Sequence, residues 1–353
     1  MRAIILVGGR GTRLRPLTND VPKALVPIAG RPLLEHLLRH FAAHAITHVT
    51  IATTHHNQAI EERFGRGTFL GMDLAYAYET EPLGSGGAIV FTAADWDEPF
   101  LVVNGDIISD IDITALVQFH TARSASVTLA LHSVADPSRY GVAALQAADR
   151  IARFVEKPAL QDAPSTWINA GFWVFEPTAV QQIAAPGFNR VEDDLFPRIA
   201  DRGGAIFGFR HDGYWLDVGT PETYHLANMD ALRAPHLHRA NEDSANDDPP
   251  PSHPSPLPGG ALTDPVRVEP SSIIRPGATL HGPVMIGQNC VVHEGAVVRN
   301  SILWDNVTIE ADAVVEHSIL ATGARVKSGC HLRDGVLAPG SSIAQGEKPE
   351  FTF

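Results

Sequence analysis

The chain has 353 residues, of which 44% are hydrophobic and 19% charged, and its 27 basic against 40 acidic residues give a formal net charge of −13. That charge excludes nucleic acid and anionic membrane surfaces as principal partners, and no apolar run approaches the roughly 20 residues that span a bilayer. The length exceeds what one compact core accommodates and predicts two domains.

The first apolar stretch, Ala3–Val7, is shorter than the roughly 7–15 apolar residues of a secretory signal, so it reads as a buried strand. It ends in Gly8-Gly9-Arg10-Gly11-Thr12-Arg13. Glycines this dense let backbone N–H groups approach an anion closely. Arg10, Arg13, Arg15 and Lys23 gather four cations in an otherwise acidic chain, a combination suited to a polyphosphate. The loop lacks the Gly-Lys-Ser/Thr of a Walker motif, and Leu14 stands where a dinucleotide fingerprint needs its third glycine. Only four lysines occur, Lys23, Lys157, Lys327 and Lys348, so a lysine in this arginine-rich chain marks a place for a compact ammonium.

Further along, strands are expected at Val49–Thr53, Phe100–Asn104, Ser126–His132 and Gly171–Phe175, and helices at Pro32–His44, Asp112–Arg123 and Glu192–Asp201. This alternation predicts an α/β domain with a mostly parallel sheet, whose ligands bind beyond the carboxyl ends of the strands. His36, His40 and His44 share one helical face and are expected on exposed helix surface rather than at a metal. Trp167, Trp173 and Trp215 are expected to pack.

From about Arg233 to Pro265 the chain turns acidic and proline-rich, with few large apolar residues, and reads as an extended linker. Beyond it an aliphatic residue recurs every six positions through Ile274, Leu280, Ile286, Val292 and Val298. After steps of five the series continues at Leu303, Ile309 and Val315, then Leu320, Val326 and Leu332, then Leu337 and Ile343. Glycines follow three positions later (Gly277, Gly295, Gly323, Gly329, Gly335, Gly340) and small residues four later (Ala278, Cys290, Ala296, Ala313, Ala324, Cys330). Aliphatic, turn glycine, small residue is a hexapeptide β-helix pattern, here of roughly four coils. The only two cysteines, Cys290 and Cys330, fall at its small position, which makes them structural and suits a reducing cytoplasm. The boundaries are therefore 1–232 for the α/β domain, 233–265 for the linker and 266–353 for the β-helix.

The stretch "AIILVGGRGTRLRPLTNDVPKALVPIAGRPLLEH" resembles the opening of the sugar-1-phosphate nucleotidyltransferase family, which includes mannose-1-phosphate guanylyltransferases and glucose-1-phosphate thymidylyltransferases. "EPLGSGG" (81–87), "NGD" (104–106), "RYGV" (139–142), "EKP" (156–158), "NAG" (169–171), "VEDDLFP" and "GYWLDVGTPETY" are similar to the same family and follow in its order, so the resemblance covers roughly residues 1–230. It implies a Rossmann-like domain followed by a short left-handed β-helix. It implies a nucleotide site of Leu6, Gly8, Gly9, Gly11, Thr12, Arg13, Lys23, Gly84, Ser85, Asn104 and Asp106, and a sugar-phosphate site of Gly141, Glu156, Lys157, Asn169 and Gly171. Asp106 and Asp217 would hold Mg²⁺, and Arg13, Lys23, Asp106, Lys157 and Asp217 would carry the chemistry.

The implied reaction attacks the α-phosphorus of a nucleoside triphosphate with a sugar 1-phosphate and expels pyrophosphate. The attacker is already an anion, so the task is positioning and charge neutralisation rather than base catalysis. Pairing of these motifs with a β-helix tail favours GTP and mannose 1-phosphate, in a homo-oligomer with no nucleic-acid or membrane partner. UTP, dTTP or ATP stay open, as does another hexose 1-phosphate or a cyclitol phosphate such as valienol 1-phosphate. Two rivals are a hexapeptide acyltransferase using His281, His293, His317 or His331, and a regulatory subunit without turnover. The second should lack charged positions that are all present here.

Overall fold

The computed structural model describes residues 1–9, 11–66, 69–184, 187–234, 262–263 and 265–353; Arg10 and most of the proline-rich stretch 233–265 lie outside these. By its internal contacts the chain forms two compact units, Met1–Gly9 with Leu37–Trp215, and Arg10–His36 with Leu216–Phe353.

The first unit is built on a mixed sheet. Strands β1 (Arg2–Leu6), β2 (His48–Thr54), β3 (Asp73–Glu79) and β4 (Phe100–Asn104) lie parallel in the order β3-β2-β1-β4. Both faces of the inner strands are covered: Ala3, Ile4, Ile5 and Phe100 to Val103 are fully buried. Unbroken apolar runs of this kind belong to buried parallel strands. The later strands are β5 (Val127–Ser133), β6 (Gly141–Leu145), β7 (Ile151–Glu156), β8 (Trp167–Phe175) and β9 (Ile206–His211). β8 runs antiparallel to β4, β5 and β6, β7 turns back on β6, and β9 joins β5 in parallel. The strand expected at Gly171–Phe175 is thus the second half of a longer one.

Helices α1 (Leu33–Ala43), α2 (Gly84–Ala93), α3 (Ile113–Ala122) and α4 (Leu195–Asp201) surround these strands in sequence. α3 starts where Asp112 Oδ1 accepts the Ala115 N–H at 2.9 Å, an N-cap. Trp173, Phe175 and Phe196 form the aromatic centre, with Trp173 edge-on to Phe196 at 5.4 Å.

The α1 histidines depart from the exposed face expected of them. His36 is buried with a ring nitrogen 2.9 Å from Ile28 O, and His40 stands 2.8 Å from Ile111 O. Burial, with His44 nearby, pushes the His40 imidazole down to about 4. A four-residue spacing gives a common face, but not what covers it.

In the second unit the hexads stack as a three-faced parallel β-helix. One face aligns Leu280, Val298, Val315 and Leu332, the next Ile286, Leu303, Leu320 and Leu337. The third aligns Ile274, Val292, Ile309, Val326 and Ile343. Each face carries five parallel strands, one rung more than the roughly four expected, because Leu262, Val266 and Ile273 start a coil whose spacing is irregular. The five-residue steps mark one corner on successive coils. There Asn300, His317 and Asp334 take positive φ, and Ser301 and Ser318 turn inward to accept the Ser318 and Gly335 N–H groups, each at 3.1 Å. Asn289, Asn306 and Asp312 fill other left-handed corners in place of glycine, as their short polar side chains allow. Cys290 and Cys330 lie buried in the small position, as expected.

Candidate active site

In the second unit, Gly11 adopts φ +60° and opens a 3₁₀ turn over Thr12–Leu14, anchored by the fully buried Leu14 and Leu17. The Thr18 hydroxyl donates to Gly11 O at 2.7 Å. A Cβ on Gly11 would stand 3.1 Å from Lys23 Cβ and 3.2 Å from Thr18 Cγ2, so any larger residue would spread the loop from the second turn, Lys23–Leu25. Lys23 Nζ lies 4.0 Å from Asp217 Oδ1, both side chains largely shielded. A Cβ on Gly219 would sit 3.1 Å from Asp217 Oδ1 and 3.2 Å from an Arg13 terminal nitrogen. Arg13, Lys23 and Asp217, far apart in the sequence, therefore meet around Gly219. Helix α5 (Pro221–Arg233) starts just beyond, with Thr223 Oγ1 accepting the Gly219 and Thr220 N–H groups at 3.0 Å each.

In the first unit, Leu6, Gly8 and Gly9 follow the β1 line to its carboxyl end, and the Gly105 N–H donates to Leu6 O at 3.0 Å. Gly8 faces Glu79, whose carboxylate accepts the Leu83 N–H at 2.9 Å and is held above the usual carboxylate range by burial. Asn104 closes β4, with Asp106 two residues on. Gly171, at φ +74°, abuts it: a Cβ there would collide with Ile107 and stand 2.8 Å from Asn104 Nδ2. Asn169 Oδ1 accepts the Trp173 indole N–H at 2.7 Å and the Gly171 N–H at 3.1 Å.

A charged cluster joins the remaining first-unit residues. Glu156 Oε1 is 3.5 Å from Lys157 Nζ and accepts from Arg190 at 2.9 Å, and its other oxygen would stand 2.8 Å from a Cβ on Gly141. Lys157 is 57% exposed, so its ammonium is available to an anion. Arg190 also approaches Glu192 Oε1 at 3.9 Å. Glu192 accepts the Ser85 hydroxyl, and its carboxyl is raised by burial against the opposing pull of Ser85 and Arg190. The Gly86 and Gly87 N–H groups donate to Asn189 O at 2.9 and 3.2 Å, which pins Gly84–Gly87 to the segment carrying Arg190 and Glu192.

Arg190, Glu192 and Glu79 join these clusters although nothing in the sequence marked them as site residues. "VEDDLFP" signalled a charged segment before an apolar helix, but ion-pair partners chosen across long sequence separations leave no local pattern. Among the described residues no three His, Cys, Asp or Glu side chains converge as a metal cage. Mg²⁺ commonly takes only one or two protein carboxylates and completes its shell with phosphate and water oxygens. The shielded hard oxygens of Asp217, set among cations that would draw in a phosphate, fit that pattern.

The sequence model described as nucleotidyl transferase matches residues 2–234, and that described as GMPPB C-terminal domain matches 262–346. A mannose-1-phosphate guanylyltransferase of Mycobacterium tuberculosis is 36% identical over 311 residues, covering 88% of this chain and 81% of its own. A UTP–glucose-1-phosphate uridylyltransferase of Synechocystis is 30% identical over 332 residues, 86% and 83% of the two chains. Among solved structures, one from Bacillus anthracis assigned as a glucose-1-phosphate thymidylyltransferase aligns with a TM-score of 0.59 and 26% identity, over 65% of this chain and 94% of that one.

Proposed function

Because the chain belongs to the nucleotidyl transferase family, we propose that it joins GTP to mannose 1-phosphate and releases pyrophosphate. The chain is a sugar-1-phosphate nucleotidyltransferase; the choice of base and sugar is our reading, supported by the Mycobacterium tuberculosis relative and the match to the GMPPB C-terminal domain. The observation that carries the chemistry is the meeting of Arg13, Lys23 and Asp217 around Gly219. In an acidic protein, cations so placed offset repulsion between two phosphates that must approach each other.

An oxygen of the sugar 1-phosphate attacks the α-phosphorus, the bond to the β-phosphate oxygen breaks, and pyrophosphate leaves with that electron pair. Arg13 faces the leaving pyrophosphate, Lys23 the α-phosphate, and Lys157 the attacking phosphate, while Glu156 meets sugar hydroxyls. Leu6, Gly8, Gly9, Gly11, Thr12, Gly84, Ser85 and Asn104 line the nucleotide; Gly141, Asn169 and Gly171 line the sugar. Asp106 and Asp217 are each proposed as a Mg²⁺ ligand. The ion, when bound, neutralises phosphate charge and aligns the reacting group.

The two buried free cysteines support a cytoplasmic setting, and the β-helix is read as an assembly surface of a homo-oligomer. A second reading, UTP with glucose 1-phosphate, is favoured by the Synechocystis relative. Pyrophosphate release measured over GTP, UTP, dTTP and ATP against several sugar phosphates decides between them. Highest kcat/KM for GTP with mannose 1-phosphate is the expected result, and preference for another pair overturns the assignment.

A further inference from the structure

The hairpin that follows Lys23 is gripped by the β-helix through a hydrogen-bond chain whose direction is fixed. Trp304, buried on the β-helix, donates its indole N–H to Tyr224 Oη on α5 at 2.8 Å. An indole can only donate, so the phenol proton must point the other way, and it does: Tyr224 Oη donates to Pro27 O at 2.6 Å. Tyr224 is fully buried, so neither bond has water as a substitute partner. One turn along α5, the buried Asn228 accepts the Ala29 N–H at 2.9 Å and ties back to Tyr224 O at 3.0 Å.

The hairpin is held from below as well. It pairs Pro27 with Pro32 and Ile28 with Arg31, and reverses at Ala29 and Gly30, both at positive φ. A Cβ on Gly30 would stand 3.0 Å from Met285 Cε and 3.3 Å from Arg267 on the β-helix. Pro27, Ile28 and Ala29 are therefore each held by a side-chain hydrogen bond, from Tyr224, His36 and Asn228, and Gly30 has room for no larger residue beside Met285 and Arg267. The hairpin in turn fixes the lysine turn: the Val26 N–H donates to Lys23 O at 3.2 Å, the Leu25 N–H to Pro22 O at 2.8 Å, and the Leu33 N–H to Val26 O at 3.0 Å.

We infer that Trp304 is a positioning residue for nucleotide binding, acting through Tyr224 and Pro27 on Lys23. The β-helix is then a brace for the phosphate-contacting loop in addition to any part it plays in assembly. This rests on the proposed role of Lys23 at the triphosphate.

The experiment compares full-length wild type with Trp304→Phe, which keeps an aromatic ring but removes the donor. In Trp304→Phe, amide exchange over residues 22–33 accelerates while exchange over the β-helix core is unchanged. KM for the triphosphate rises about tenfold with KM for the sugar 1-phosphate within about twofold, since misplacing one contact strains only the ligand it serves. The double variant Trp304→Phe/Tyr224→Phe is no worse than Tyr224→Phe alone, because the first residue works through the second. Should Trp304→Phe fail to fold, Met285→Leu, which alters the support under Gly30, must produce the same exchange pattern in weaker form. Unchanged exchange over 22–33, equal shifts in both KM values, or additive effects of the two phenylalanines overturn the proposal. Exchange reads the brace without reference to turnover, so a wild type that releases no pyrophosphate would defeat the functional reading and leave this one to be decided on its own.

Discussion

Lys23 and Asp217 stand 4.0 Å apart, ammonium to carboxylate oxygen, with only 14% and 20% of their side chains exposed. Screening by water is weak for a pair so shielded, and each side chain holds the other in place. With Arg13 across Gly219, two cations flank one carboxylate. An anion with several oxygens can replace the carboxylate's hold on either cation, and a divalent ion can replace the cations' hold on the carboxylate.

Gly219 sets the spacing of that group. Its φ is not in the left-handed region, so alanine is acceptable to the backbone, but the added Cβ would crowd both Asp217 and Arg13. Gly219→Ala should lower kcat by about 10- to 100-fold while leaving thermal stability within about 0.5 kcal/mol, because only preorganisation is disturbed. Steady-state kinetics beside a melting curve checks this; full activity would mean that the convergence has no part in turnover.

Lys157 tests the first-unit cluster. Its ammonium is exposed and only loosely tied to Glu156, which Arg190 already holds. Lys157→Ala should therefore raise KM for the sugar 1-phosphate by at least about tenfold with little cost in stability, as surface pairs contribute little to folding. Titration of initial rates against each substrate separates the two KM values, and an effect confined to the nucleotide would move Lys157 out of the sugar-phosphate site.

The elements of this protein differ in how plainly their sequence shows them. Leu280, Val298, Val315 and Leu332 showed their period because each coil repeats the same burial problem, and the five-residue steps later proved to be the Asn300–His317–Asp334 corner. The irregular first coil, at Leu262 and Val266, lacked that period and was missed. Arg13 and Lys23 stood out because four cations, from Arg10 to Lys23, gather beside a glycine-rich loop in an acidic chain. Arg190 and Trp304 did not, since a guanidinium or an indole takes its meaning from the partner that folding brings to it. The α1 histidines failed for the same reason: polarity suggested exposure, and Ile28 O and Ile111 O supplied buried partners.

Two shielded histidines, His225 on α5 and His40 on α1, give the fold a pH dependence. Burial pushes His225 down to about 4, reinforced by His317, while its bond to Asn300 O works the other way; His40 is likewise lowered to about 4. Unfolded, each binds a proton near pH 6.5, so the unfolded chain holds more protons between about 6.5 and 4. Stability is thus fully present above pH 6.5 and is lost as pH falls toward 4, by at most about 1.4 kcal/mol per pH unit for each group. His225→Gln keeps a donor for Asn300 O but cannot titrate. Urea unfolding at several pH values should show a shallower acid loss in this variant than in wild type, and parallel curves would show that His225 does not contribute.

In the proposed reaction a few gathered charges, with a divalent ion, let two phosphates meet. Turnover of purified Asp217→Asn at physiological Mg²⁺ tests it most directly, because the substitution is nearly isosteric and removes only the charge. A fall of about 10²–10³ in kcat with the fold intact is the predicted result. Near-normal turnover would show that the Asp217 charge has no part in the reaction.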